Sequence, residues 1–153
     1  MHKILFVCHG NICRSPMAEF VLKDLVHRRG LDDQFLIQSC ATSTEELGSP
    51  VYPPIRDLLA KHGISCAGKT AVQLRRSDYE KYDLLVMMDT WNVRNAMRIL
   101  GKDPERKVKK LLDFTRDGGD VEDPWYTERY TEVYETILAG CEDLLEFLIK
   151  NDE

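Results

Sequence analysis

The sequence lacks any apolar run long enough to cross a membrane, which takes about 20 consecutive residues. Its first apolar stretch, Ile4 to Cys8, is also too short for the core of a secretion signal, and no small-residue cleavage site follows it. The 5 cysteines are an odd number without the spacing of a disulfide framework, which is typical of free thiols in a reducing compartment. We therefore expect a cytoplasmic protein without a membrane partner.

A strong charge of either sign is also absent. The 21 lysines and arginines and the 26 aspartates and glutamates give a formal net charge of −5 at pH 7. This mild acidity argues against nucleic acid or an anionic membrane surface as the main partner. A site for phosphate or a similar anion would therefore need a local device that attracts the anion against the overall field.

The sequence shows no metal-binding pattern. Cys8, His9 and Cys13 lie close together, but no second spaced pair of ligands accompanies them, as a zinc site would require. We therefore expect no metal and no other cofactor. Three further cysteines belong to no motif and are predicted to fill the core, namely Cys40, Cys66 and Cys141.

Short apolar segments alternate with longer segments of helical periodicity, an order typical of α/β proteins. Strands are predicted at residues 3–7, 35–39, 84–88 and 108–112. Helices are predicted at residues 16–29, 54–62, from the third strand to 101, and at 130–149, with a long loop at 113–127. Because no repeat or linker divides the chain, we predict a single doubly wound domain over residues 1–153, with helices on both faces of the sheet.

The segment CHGNICRS, residues 8–15, joins the first predicted strand to the first predicted helix. In open α/β sheets, ligands bind where strands end and helices begin. Backbone N–H groups of such a loop can surround an anion, and the helix dipole adds positive charge. Gly10 is expected to permit the tight curvature, while Pro16 suits a first helical turn and Ser15 a helix cap. This segment can therefore supply the local positive potential that an anion would need.

Cys8 and Arg14 indicate which reaction this anion site supports. In the pattern C-x5-R, the sulfur can lie beneath a phosphorus atom while the guanidinium binds two of the phosphate oxygens. The same positive groups stabilise a thiolate, which is a nucleophile. A lone cysteine at the end of a buried strand is usually structural. The combination with arginine, glycine and asparagine in one loop favours Cys8 as the nucleophile and Arg14 as the phosphate ligand.

Such a nucleophile needs a proton donor for the leaving group, and later a base for the attacking water. Asp123, in VEDPWY, is the best candidate for both tasks. Pro124 stiffens the turn, and Trp125 and Tyr126 are expected to form walls for a flat ring. Because Asp-Pro is also a common turn starter, Glu122 remains the alternative acid.

The stretch CHGNICRSPMAE, residues 8–19, resembles the signature loop of the low-molecular-weight protein tyrosine phosphatases. The chain length, the order of elements and the later Asp-Pro are similar too, so the resemblance covers essentially the whole chain. It implies a four-stranded parallel sheet flanked by helices. It further implies metal-independent hydrolysis of phosphotyrosine through a phosphocysteine intermediate. A phosphotyrosine-containing protein is therefore the expected partner, and a monomer the expected state.

The resemblance also implies roles for single residues. Cys8 would be the nucleophile, Arg14 the phosphate ligand and Asp123 the general acid. Ser15 would donate a hydrogen bond to the thiolate. The rest of the phosphate site would consist of His9, Gly10, Asn11, Ile12 and Cys13.

Supporting roles follow from the same resemblance. Asn11 would hold the shape of the loop, and Ser39 would support that asparagine. The proximity of Cys13 to Cys8 in one loop suits a reversible disulfide under oxidation, and the resemblance implies such protection of Cys8; the alternative is that Cys13 is a small buried residue. Trp125 and Tyr126 would support substrate binding.

Two stretches depart from the family pattern. In STEELG, residues 43–48, Glu45 and Glu46 stand where members often have an aromatic residue on the pocket wall. A histidine that helps to hold the loop asparagine in some members is absent, and Gly68 in AGKTA lies near that place.

Three alternative functions share the same loop. Related arsenate reductases pass the oxidation to two cysteines on the helix after the third strand, and residues 89–101 contain none. The resemblance associates protein arginine phosphatases with a threonine at the position of Ile12, so isoleucine favours a tyrosine phosphatase. A catalytically silent phosphate-binding module would have no use for the acid predicted at Asp123.

Overall fold

Four parallel strands form one sheet, in the order β2-β1-β3-β4, in the computed structural model, which describes residues 1–152. The strands are β1 (His2–Cys8), β2 (Phe35–Ala41), β3 (Leu84–Met87) and β4 (Val108–Lys110). The central strand β1 pairs with β2 from His2 opposite Phe35 to Cys8 opposite Ala41. The predicted four-stranded parallel sheet is confirmed.

Six α-helices accompany the sheet within residues 1–152. They are α1 (Arg14–Arg28), α2 (Pro53–Lys61), α3 (Asp78–Lys81), α4 (Thr90–Leu100), α5 (Pro124–Thr127) and α6 (Tyr130–Asn151). Two short 3-10 helices lie at Asp32–Gln34 and Leu111–Phe114. The longest helix, α6, has 22 residues. Yet in the part of the chain that the structure describes, no helix is both long enough and apolar enough to pass through a bilayer.

Strand β1 separates two apolar layers, because successive side chains of a strand point to opposite faces. Ile4 and Phe6 are buried in the larger layer, which contains residues of α1, α2 and α6. Leu5 and Val7 are buried in the smaller layer, together with residues of α4. The continuous apolar run therefore serves both faces of the sheet, as expected for a central parallel strand.

Several boundaries differ from the predicted ones. Helix α1 begins at Arg14 rather than Pro16, because the N–H of Met17 already bonds the carbonyl of Cys13 at 3.1 Å. The fourth strand ends at Lys110, since the chain turns into the 3-10 helix from Leu111 onward. The predicted loop at 113–127 contains α5, which the Asp-Pro turn begins. Helix α3 was not predicted, because four residues are too few to show a helical period.

Candidate active site

The segment at residues 8–15 lies at the carboxyl end of β1 and runs directly into α1. Its unusual backbone position is Asn11, whose φ of 59° lies in the left-handed region. Gly10 does not have a positive φ, so the expectation that this glycine provides the tight curvature is wrong. Asparagine tolerates the left-handed conformation better than most residues, although it still requires support from its surroundings.

Three hydrogen bonds from its side chain hold Asn11 in this conformation. The amide nitrogen donates to the hydroxyls of Ser15 and Ser39, at 2.8 and 2.9 Å. The amide oxygen accepts from the N–H of Val72 at 3.2 Å. Because Asn11 is only 1% exposed, water cannot replace these partners. The loop is therefore tied to α1, to β2 and to the segment around residue 72.

The sulfur of Cys8 lies within this loop and receives two donors. The backbone N–H of Asn11 is 3.3 Å from the sulfur, and the hydroxyl of Ser15 is 2.9 Å from it. Since the Ser15 oxygen already accepts a hydrogen bond from Asn11, its own proton is free to point at the sulfur. Ser15 does not cap α1, because the helix starts one residue earlier, and that prediction is wrong.

Arg14 is buried beneath the loop and is oriented by acceptors from two other segments. Its Nη1 donates to Oδ2 of Asp89 at 2.7 Å and to the carbonyl of Val121 at 2.9 Å. Burial opposes the charge of this guanidinium, but the thiolate of Cys8 and the hydrogen bond to Asp89 raise its pKa. Arg14 therefore provides a permanent positive charge next to the sulfur.

Asp89 is a site residue that sequence reasoning missed. It is the N-cap of α4, where its Oδ1 accepts from the N–H of Asn92 at 2.8 Å, and Asn92 bonds back to the N–H of Asp89. The cap turns the other carboxylate oxygen toward Arg14. The available signal was an acidic residue with cap chemistry at the carboxyl end of β3, the edge of the sheet on which Cys8 lies.

Asp123 comes to the same place from the chain segment before α6. Its Oδ1 caps α5 by accepting from the N–H of Trp125 at 3.0 Å. Its Oδ2 is 3.6 Å from Nη2 of Arg14. The alternative acid, Glu122, is instead paired with Nε of Arg129 at 3.2 Å and does not line the cleft. The geometry therefore brings Asp123, and not Glu122, to Cys8 and Arg14.

These groups line one cleft with a volume of about 400 Å³. Its walls and floor consist of Cys8, His9, Gly10, Ile12, Cys13, Arg14, Glu45, Glu46, Asp123, Trp125 and Tyr126. Trp125 and Tyr126 are exposed at the mouth, and the ring of Tyr52 backs Trp125 with a centroid distance of 5.0 Å. The cleft thus has an aromatic side and, at Glu45 and Glu46, an acidic one.

A buried carboxylate supports the loop from below. Glu19 accepts from the Ser39 hydroxyl and from Nζ of Lys23, both at 2.5 Å. Lys69 lies 3.7 Å from Glu19 and donates to the carbonyl of Ser39 at 2.8 Å. Burial lowers the pKa of Lys69, whereas the charge of Glu19 opposes that change. Sequence reasoning noted only that a family histidine is absent near Gly68, and it missed this support from Glu19 and Lys69.

The structure also places the other predicted residues that have not yet been described. His9 is exposed and pairs with Glu45 at 2.9 Å. Cys13 is buried, and this burial together with the Cys8 thiolate raises its pKa to about 12. Three cysteines outside the loop are free and buried as predicted, namely Cys40, Cys66 and Cys141. In the described range, 1–152, no three His, Cys, Asp or Glu side chains converge to hold a metal ion.

Comparison with known proteins agrees with this geometry. The family model described as low molecular weight phosphotyrosine protein phosphatase matches residues 3–153. The chain is 36% identical over 155 residues to the low molecular weight protein-tyrosine-phosphatase YfkJ of Bacillus subtilis, covering 100% of this chain and 99% of that protein. It is 33% identical over 152 residues to the phosphatase PtpA of Staphylococcus aureus, covering 99% of this chain and 96% of that protein.

Solved structures show the same similarity. The crystal structure of YfkJ superposes with a TM-score of 0.96 at 35% identity, covering 100% of this chain and 98% of the other. That of a Drosophila arginine phosphatase superposes with a TM-score of 0.84 at 30% identity, covering 95% and 97%. The resemblance seen in the signature loop is thus confirmed along the chain. The protein therefore belongs to the low molecular weight protein-tyrosine-phosphatase family and is a cysteine-based phosphatase.

Proposed function

We propose that the protein hydrolyses phosphotyrosine in a protein substrate through a phosphocysteine intermediate on Cys8. One observation carries this proposal: the Cys8 sulfur, the buried Arg14 guanidinium and the Asp123 carboxyl line a single cleft. The cleft is walled on one side by Trp125 and Tyr126, which suit the phenyl ring of the substrate. The proteins named YfkJ and PtpA are tyrosine phosphatases by their names, which supports the same activity here.

In the first step, the phosphate lies in the loop and Cys8 attacks its phosphorus atom. The bond between phosphorus and the tyrosine oxygen breaks as the bond between phosphorus and sulfur forms. Asp123 donates its proton to the leaving oxygen, so that a neutral tyrosine departs instead of a phenolate. Arg14 and the loop N–H groups stabilise the charge on the phosphate oxygens in the transition state.

In the second step, a water molecule attacks the phosphocysteine. Asp123 is now a carboxylate and accepts a proton from that water. The phosphorus–sulfur bond breaks, phosphate is released, and the electron pair returns to the sulfur of Cys8. The donors from Ser15 and Asn11 stabilise the thiolate that re-forms.

A protein arginine phosphatase is the second candidate. The chain is similar to the Drosophila arginine phosphatase, and the carboxylates of Glu45 and Glu46 are acceptors suited to a guanidinium. Ile12 favours the aryl phosphate, because this apolar side chain lines the cleft within the phosphate loop. A phosphoguanidinium buried against it would leave N–H donors unpaired, at a cost of about 1–3 kcal/mol each.

We also propose that the chain acts as a single-domain monomer in the cytoplasm, without membrane or nucleic acid as a partner. Its five cysteines are all free and buried, which suits a reducing compartment.

The activity is tested with peptides that carry phosphotyrosine, phosphoserine or phosphoarginine, assayed with and without a chelator. We expect hydrolysis of phosphotyrosine at a kcat/KM at least about tenfold above phosphoarginine, equal to about 1.4 kcal/mol, and no effect of the chelator. Cys8→Ser should abolish turnover while phosphate or vanadate still binds, because a serine hydroxyl in this loop has no base to ionise it. Turnover by Cys8→Ser, or a requirement for metal, would contradict the mechanism.

A further inference from the structure

The acidic side of the cleft has no task in the chemistry above. Glu45 and Glu46 line the same cleft as Trp125 and Tyr126, and they lie on the segment that follows β2. Their negative charges oppose the binding of a phosphate anion, because like charges repel. These two glutamates, called the acidic wall below, therefore favour the binding of a substrate only if it carries positive charge beside its phosphate.

The wall is held in place by the phosphate loop itself. Backbone N–H groups of Thr42 and Ser43 donate to the carbonyls of Cys8 and His9, at 2.9 and 3.1 Å. At the other end of the segment, the N–H of Tyr52 donates to the carbonyl of Ile12 at 2.9 Å. The backbone segment that carries the two glutamates is therefore attached to the phosphate loop at both of its ends.

Glu46 is ordered within this segment. Its carboxylate accepts from the hydroxyl of Ser49 at 3.0 Å, and its Cγ lies 3.7 Å from the position that a Cβ on Gly10 would occupy. Its charge also reaches into the loop, where it contributes to the raised pKa of Cys13. Among the ion pairs of residues 1–152, none joins Glu46 to a lysine or arginine, so its charge is uncompensated within this part of the chain.

Few positively charged groups line the cleft and offset the negative charge of the acidic wall. Of the charged residues that line the cleft, only Arg14 and His9 are basic. Arg14 is buried and directed at Asp89 and Asp123, while His9 lies at the surface against Glu45. The side chain of Glu45 is nevertheless 70% exposed, which leaves it accessible to a substrate.

We propose that Glu45 and Glu46 select phosphotyrosine sites with lysine or arginine next to the phosphotyrosine. This inference rests on the tyrosine phosphatase function proposed above and names the class of peptide that this function serves. With the phosphate in the loop and the ring at the aromatic side, neighbouring residues of the peptide lie at the rim. A basic neighbour is attracted there by two carboxylates, and an acidic neighbour is repelled by them.

The test uses three phosphotyrosine peptides that differ only in the residues flanking the phosphotyrosine, which are arginine, glutamine or glutamate. At low ionic strength we expect kcat/KM to decrease in that order, with about a tenfold ratio between the first and the last. In about 1 M salt the Debye length falls to about 3 Å, so the ratio should approach one. The double variant Glu45→Gln/Glu46→Gln should lose most of the preference.

Glu105→Gln serves as the matched control. It removes the same kind of charge, but Glu105 lies before β4, at the opposite end of the parallel sheet, and pairs with Lys107 at 3.6 Å. This variant should keep the full preference. Because each ratio is taken within one variant, a uniform loss of activity does not affect the comparison.

Two outcomes would overturn the inference alone: equal rates for the three peptides in the wild type, or an unchanged ratio in the double variant. Failure of the wild type to hydrolyse any phosphotyrosine peptide would instead overturn the tyrosine phosphatase function, and this inference with it.

Discussion

Asn11 gives the sharpest test of how the phosphate loop is built. Its side chain makes three buried hydrogen bonds, and its backbone has a φ of 59°. The substitutions Asn11→Gly and Asn11→Ala both remove the three bonds. Alanine keeps the Cβ that asparagine already places in the left-handed region, whereas glycine removes it, so the difference between the two variants separates the backbone strain from the loss of the hydrogen bonds.

The magnitudes follow from these contacts. Three hydrogen bonds at about 0.5–1.5 kcal/mol each give a loss of about 1.5–4.5 kcal/mol in the free energy of unfolding. Alanine costs about 1–2 kcal/mol more in the left-handed region. Against this, alanine restricts the unfolded chain, which returns about 0.4–1 kcal/mol. We therefore expect Asn11→Gly to be more stable than Asn11→Ala by about 1 kcal/mol, and both to be less stable than the wild type.

Urea unfolding measures these free energies, and hydrolysis of an aryl phosphate measures the loop geometry. We expect kcat/KM to fall by about 10²-fold in both variants, since a misplacement of about 1 Å in the loop has such an effect. Asn95→Ala is the control, because Asn95 lies on α4 and should change stability by less than about 0.5 kcal/mol. Full stability and activity of Asn11→Gly would refute the reasoning. Equal stability of the two variants would show that the strain is no larger than what alanine returns, about 0.4–1 kcal/mol.

The other predictions concern the chemistry and its specificity. Asp123→Ala should lower turnover of phenyl phosphates by about 10²–10⁴-fold, and by less for leaving groups of low pKa, which depart without a proton. An equal loss for all leaving groups would make Asp123 structural. Peroxide should inactivate the wild type in a way that thiols reverse, and Cys13→Ser should make recovery much poorer. Burial, and next the neighbouring charge of Cys8, raises the pKa of Cys13 to about 12, so we expect peroxide to attack Cys8 first and Cys13 to react only with the oxidised Cys8. Equal recovery of activity in the wild type and in Cys13→Ser would show that Cys13 does not protect Cys8 and is only a core residue. Ile12→Thr should narrow the ratio of kcat/KM between phosphotyrosine and phosphoarginine peptides, because the hydroxyl offers a partner to a guanidinium. An unchanged ratio would show that Ile12 does not determine the preference between these two substrates.

The features that the sequence alone determined are formed by contiguous segments of the chain. The β-loop-α order around residues 3–29 follows from an apolar run, a C-x5-R loop and a helical period, all of which are local patterns. The spacing of Cys8 and Arg14 is local too, because a strand-to-helix loop returns the chain to the same edge of the sheet. Asp123 was found because its Asp-Pro turn is a recognisable motif, although the residue is distant in sequence from Cys8.

Only the tertiary structure decided which residues support the loop. Asp89 orients Arg14 because β3 lies directly beside β1, so that the cap of α4 meets the beginning of α1. Glu19 supports Ser39 only because α1 packs on β2, and Lys69 completes this support from a further segment. The cap chemistry of Asp89 is visible in the sequence, but no local pattern tells which residue each of the three contacts, since these partners are 20 to 75 residues away. The tertiary structure also determined that Asn11, and not Gly10, has the left-handed backbone conformation in this loop. A left-handed asparagine is stable here because α1, β2 and the segment around residue 72 each supply one hydrogen bond, and these three meet only in the folded chain.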